Sequence, residues 1–169
     1  GSIEGGGTAR LFERTMARML ASPAIDFRVE GKRLSLSEII TSGIVSGRVS
    51  FDLRATGTTQ KPKVRLRVPA GTTVEVLGQA WNLAGIEIEA GKDALVVRLL
   101  HVAGKSGGDL RIEGRAELAK KPMRLDWRIR IADLPIATIL AAAQVDVPVS
   151  GKLSVDLQVA GNVAKPTLA

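Results

Sequence analysis

Asp109-Leu110-Arg111-Ile112-Glu113-Gly114-Arg115-Ala116-Glu117-Leu118 decides the fold. Leu110, Ile112, Gly114, Ala116 and Leu118 alternate without a break with Asp109, Arg111, Glu113, Arg115 and Glu117. Successive side chains of an extended chain point to opposite faces, so this stretch builds a strand with one apolar and one charged face.

The same period of two runs outward in both directions. Ile25, Phe27 and Val29 alternate with Asp26, Arg28 and Glu30; Val49, Phe51, Leu53 and Ala55 with Arg48, Ser50, Asp52 and Arg54. Val64, Leu66 and Val68 follow the rule, as do residues 123–131 and 153–159. Less regular strands are expected at residues 73–77, 86–90 and 95–102. Gly31-Lys32, Gly91-Lys92-Asp93 and Lys105-Ser106-Gly107-Gly108 supply turns too short for a parallel crossover, which predicts an antiparallel meander.

Composition agrees. Of 169 residues 45% are hydrophobic but only 3% aromatic, so the apolar mass is Val, Leu, Ile and Ala, as strands prefer. That scarcity excludes an aromatic stacking platform for sugars or single-stranded nucleic acid. The net charge of +7 permits anionic partners, yet the basic residues are dispersed singly, as on a solvated face. Cysteine is absent, and no apolar run approaches the roughly 18 residues of a membrane-spanning helix.

The opening Gly1-Ser2-Ile3-Glu4-Gly5-Gly6-Gly7 reads as a linker or a vector-derived scar. Residues 9–21 predict one amphipathic helix: Leu11, Met16, Met19 and Leu20 share a face, and Ser22-Pro23 ends it. Residues 8–169 are then one β-rich domain.

That domain repeats itself. Val45-Ser46-Gly47-Arg48-Val49-Ser50-Phe51-Asp52-Leu53 returns as Val149-Ser150-Gly151-Lys152-Leu153-Ser154-Val155-Asp156-Leu157, and each copy runs through Gly57 or Gly161 to Lys61-Pro62 or Lys165-Pro166. Nine identities fall in windows where average composition predicts about one. Upstream, Ile25-Asp26-Phe27-Arg28-Val29 matches Leu125-Asp126-Trp127-Arg128-Ile129, and Leu34, Leu36, Ile39 and Ile40 match Leu134, Ile136, Ile139 and Leu140. The two units span about residues 25–64 and 125–168, each a strand, a short helical turn, a second strand and a Pro-marked exit.

Ala132-Asp133-Leu134-Pro135-Ile136-Ala137-Thr138-Ile139-Leu140, followed by the Gly151 to Gly161 strand and Lys165-Pro166, resembles the recurring unit of AsmA-like proteins, TamB (the translocation and assembly module component) above all. Gly107-Gly108-Asp109-Leu110-Arg111-Ile112-Glu113-Gly114 resembles the same family's glycine-bounded strand. The resemblance covers residues 23–169. In the first copy Leu34-Ser35-Leu36 replaces Leu134-Pro135-Ile136, which leaves that copy's helical turn open.

The resemblance implies an all-β, open, taco-like antiparallel trough. It implies a fragment of a longer inner-membrane-anchored protein in the Gram-negative periplasm. Such a protein handles phospholipid on its way to the outer membrane, and works beside an Omp85-type barrel protein and its own neighbouring repeats. The positions expected to line the groove are Val49, Phe51, Leu53, Val64, Leu66, Leu110, Ile112, Leu118, Leu125, Trp127, Ile129, Ile131, Leu153, Val155, Leu157 and Val159. Alternation by itself favours a β-sandwich whose core, about 10 Å thick, is filled by its own side chains, and the resemblance reverses that preference. A scaffold that docks partners by its sheet edges is the functional alternative.

Nothing in the chain predicts an enzyme or a cofactor. His101 is the single histidine, which argues against zinc. Gly104-Lys105-Ser106 resembles the end of a P-loop, but Leu99 stands where its leading glycine belongs, so a turn is expected. Asp52 and Asp156 are repeat-equivalent and expected to face solvent or cap a turn, with no second carboxylate converging on them. Phe27 and Trp127 are expected to plug the core or trough against the helical turns.

Overall fold

The structure, a computed structural model, describes residues 1–12, 19–39, 45–76, 79–142, 145 and 147–168. Their period-two sequences become eleven strands of one antiparallel sheet: β1 (Ser2–Phe12), β2 (Met19–Ser35), β3 (Val45–Thr58), β4 (Pro62–Val68), β5 (Thr72–Val76), β6 (Gln79–Gly91), β7 (Ala94–Gly104), β8 (Asp109–Glu117), β9 (Arg124–Pro135), β10 (Lys152–Asn162) and β11 (Lys165–Leu168). Two short helices interrupt them, α1 (Leu36–Ile39) and α2 (Ile136–Ala142).

Spatial order follows chain order, β1-β2-β3-β4-β6-β7-β8-β9-β10-β11. Strand β5 continues the lane of β4 between β3 and β6, after Pro69 and Gly71 break the extended run. The order is a path with β1 and β11 at its ends, so the sheet is open.

The fold is thus the expected all-β, open antiparallel trough with short helical turns. It has one layer. Buried apolar side chains are few among the described residues: Val49, Val68, Val74, Leu83, Val97 and Ala116. Four of them cluster where β5 enters the sheet, with Leu36 of α1, Phe51, Trp81, Ile86 and Val102 against them. The accessible surface is 11,319 Å², against about 8,000 Å² for a compact protein of this length. A filled sandwich would have buried that difference.

The repeat is exact in register. Phe27 pairs with Ala55 and Val29 with Leu53, as Trp127 pairs with Val159 and Ile129 with Leu157. Both copies carry a bulge at the same place, with Arg33 and Asp133 in the left-handed region at φ 52° and 50°. Gly57 and Gly161, at φ 99° and 101°, make the bend before each proline, a conformation L side chains rarely adopt.

Two expectations need correction. The glycine-rich start is no loose linker: residues 2–12 form β1, paired along its length with β2. Strand β1 stands to β2 as β8 stands to β9, because Gly7 faces Phe27 and Ala9 faces Ile25 as Gly114 faces Trp127 and Ala116 faces Leu125. Each repeat therefore begins a strand earlier than residues 25 and 125. The helix expected over 9–21 fails at both ends, since residues 9–12 and 19–21 are strand; its centre, with Leu77 and Ile40 of other expectations, lies outside the described residues. Pairing with a neighbouring strand outweighed local helical periodicity.

Candidate functional site

The register places the apolar positions of all strands on one face. One line of paired residues crosses the sheet: Gly5, Val29, Leu53, Leu66, Ile88, Val97, Gly114, Trp127, Val159 and Leu168. Gly7, Phe27, Ala55, Val64, Ala90, Leu95, Ala116, Leu125, Gly161 and Pro166 form a second line beside it. No charged residue interrupts either. Fifteen of the sixteen expected groove positions lie on this face, and most stay half-exposed because no second layer covers them among the described residues; Leu153 and Val155 remain 36% accessible, and Phe27 on the same face 41%. Leu118 is the exception. It sits past the end of β8, in a turn held by its N–H donating to the Asp93 carbonyl at 2.8 Å.

Residues of β6 and β7 on the same face, among them Ile86, Ile88, Val97, Leu100 and Val102, were not singled out from sequence. Bulges at Gly85 and between Val97 and Leu100 shift the alternation by one residue and hide its period.

Phe27 and Trp127 do not plug a core against the helical turns. Each ring lies across a glycine of the adjoining strand, Phe27 over Gly7 and Trp127 over Gly114; Phe51 over Gly31 and Trp81 over Gly104 repeat the device. A Cβ at Gly114 would stand 2.9 Å from Trp127 Cδ2, and one at Gly104 would stand 3.3 Å from Trp81 Cζ3. Rings packed against glycine occupy the space a side chain would take and cover the backbone there.

The opposite face is a lattice of ion pairs. Arg28 Nε donates to Asp52 at 2.7 Å and Arg128 Nη2 to Asp156 at 2.8 Å, equivalent contacts of the two repeats. Arg54 pairs with Asp26 at 3.0 Å, Arg98 with Glu89 at 2.9 Å, and Arg65 also with Glu89. Hydrogen bonds from Arg98 and Arg65 hold the Glu89 carboxyl below its usual pKa, and bonds from Arg128 and Arg130 do the same to Asp156 against a smaller opposing effect of desolvation. Between the β3–β4 and β6–β7 turns this face holds a shallow concavity of about 590 Å³, lined in part by Lys61, Lys63, Lys92 and Arg65.

His101 bonds Asp109 through Nε2. Burial, the largest single influence, works to raise the Asp109 pKa, but His101 and Arg111 together outweigh it and leave the carboxyl low. Among the described residues no three His, Cys, Asp or Glu side chains gather as a metal site. Gly104-Lys105-Ser106 is a turn, closed by Gly107 N–H donating to the Gly104 carbonyl at 3.1 Å. No described helix is long and apolar enough to cross a membrane.

No family model, no curated protein and no solved structure matches this chain. Functional argument therefore starts from the face itself. It is largely aliphatic, continuous across every strand lane, and uncharged along both lines of paired residues.

Proposed function

We propose that the apolar face shields phospholipid acyl chains, and that the chain is a segment of a longer AsmA-like envelope protein. That parent is inner-membrane-anchored, works in the Gram-negative periplasm, and moves lipid toward the outer membrane without enzymatic chemistry. One observation carries the reading: an uncharged, largely aliphatic face spans ten strand lanes, with no second layer over it among the described residues. Apolar patches beyond a few hundred Å² on soluble proteins mark ligand or partner surfaces. Val, Leu and Ile side chains at graded exposure suit flexible hydrocarbon, and paired lines without charge suit a mixed lipid population over one ligand.

Native mass spectrometry of the purified chain tests this. Bound phospholipid is expected, and Val155→Lys with Leu157→Lys should abolish it while the circular-dichroism signature of the sheet persists. A chain that arrives lipid-free and extracts none from vesicles sinks the reading.

A second reading rests on the edges. Strand β11 occupies the repeat position of β4, whose far side pairs with β6, while the corresponding side of β11 carries no strand among the described residues. An edge in that state accepts a strand from a neighbouring repeat or from an Omp85-type barrel protein. Proline at Thr167 or Gly6 should then abolish partner capture, and Val155→Lys should not.

A further inference from the structure

We infer that one lip of the sheet is a cationic docking edge for an anionic phospholipid surface. Antiparallel order brings the β3–β4, β6–β7, β8–β9 and β10–β11 turns to the same end of the strands. Lys61, Lys63, Lys92, Lys121 and Arg124 stand there with no ion pair among the described residues, and Lys120 alone reaches a carboxylate, Glu117, at 2.6 Å. Mid-strand the rule reverses: Arg28, Arg54, Arg65, Arg98 and Arg128 are all paired. Set against the carboxylates of Asp93 and Glu117, the six cations Lys61, Lys63, Lys92, Lys120, Lys121 and Arg124 leave this lip net positive. At the opposite strand ends Arg33, Arg48, Lys105 and Lys152 are nearly balanced by Glu75, Asp109 and Asp133.

The lip is a built ledge. Thr59 N–H donates to the Pro23 carbonyl at 3.0 Å, Leu118 N–H to Asp93 at 2.8 Å, and Val163 N–H to Met123 at 3.0 Å, so each turn is tied to the chain beside it. Apolar side chains are exposed among the lysines: Leu118 is 43% and Val163 49% accessible. Exposed leucine and valine beside unpaired lysine fit a membrane interface, where the apolar group enters the headgroup boundary and the ammonium meets phosphate. Nucleic acid is the poorer match, since aromatic rings for base stacking are absent from these turns.

Attraction of the lip to a bilayer needs no acyl chain on the apolar face, so this inference and the groove reading fail separately. Cosedimentation of the intact chain with vesicles tests it. Binding is expected to phosphatidylcholine mixed with phosphatidylglycerol, not to phosphatidylcholine alone, and should weaken as salt rises. The variant carrying K61Q, K63Q, K92Q and K121Q should lose at least about tenfold in partitioning, since each lysine near an anionic leaflet contributes to attraction. Lys105→Gln with Lys152→Gln on the other lip should leave it nearly unchanged. Leu118→Ser with Val163→Ser should weaken binding at constant charge, and this pair with the salt series decides the matter if the quadruple variant misfolds. Equal binding to neutral vesicles, equal loss from both lips, or capture of duplex DNA without capture of vesicles would each overturn the inference.

Discussion

The backbone N–H of Asp133 donates to Ser154 Oγ at 3.0 Å. Its repeat-equivalent joins Arg33 to Ser50 at the same 3.0 Å. Each donor residue is the left-handed one at a β-bulge, where the ladder offers its N–H no carbonyl. The serine of the repeated Ser-x-Asp-Leu supplies the missing acceptor.

Ser154→Ala should therefore lower stability by about 0.5–1 kcal/mol, and Ser50→Ala by a similar amount, read as urea midpoints at unchanged slope. Arg33→Gly should raise the midpoint, because a non-glycine residue in the left-handed region carries about 1 kcal/mol of strain. Silent serines would mean that the bulge is held by the strands alone.

Gly114→Ala should cost about 1–3 kcal/mol. The added methyl would meet the Asp126 carbonyl at 2.5 Å and Trp127 Cα at 2.8 Å, and neither can retreat without shifting β9. Displacing the Trp127 ring exposes it further, so its fluorescence should move to longer wavelength. Unchanged emission would show that the ring does not lie on this glycine.

Stability should fall in acid. The carboxyls of Glu89, Glu117 and Asp156 are held below ordinary values by their hydrogen-bonded cations, so the folded chain binds fewer protons than the unfolded one. The stabilisation is complete above about pH 5 and lost as pH falls through 4.5 and 3.8 toward the lowered values. Asp156 is exposed and Glu89 and Glu117 are partly so, so high salt should flatten the dependence. Urea midpoints between pH 7 and pH 3 check this, and a flat profile at low salt contradicts it.

A single-layer sheet also has a calorimetric signature. The heat-capacity change on unfolding should lie below the roughly 2–2.5 kcal/mol/K of a compact chain of this length, because much apolar surface is already wet. The native protein should bind a hydrophobic dye at neutral pH. A compact-chain value with no dye binding would mean that the face is covered in solution.

Much of this architecture was legible in the chain. Alternation in residues 109–117 marks the strand and its faces, and the equivalence of the Val45 and Val149 copies reappears as matched pairs, Leu53 with Val29 and Leu157 with Ile129. Legibility failed where tertiary pairing overrode local signals. Gly5-Gly6-Gly7 has no strand propensity, yet Gly7 is the seat of the Phe27 ring. Bulges masked β6 and β7, and whether the apolar face is open depends on a second layer that no residue pattern reports. The cationic lip was hidden because its members are far apart in sequence and only meander topology gathers them.

The line from Gly5 to Leu168 crosses the strands at right angles and changes little in chemistry from one lane to the next. A hydrocarbon chain laid along it and displaced by one strand spacing, about 4.8 Å, finds nearly the same surroundings. Under the proposed lipid reading such a track would hold its passenger without choosing a stopping place, because the paired line has no charged step to climb.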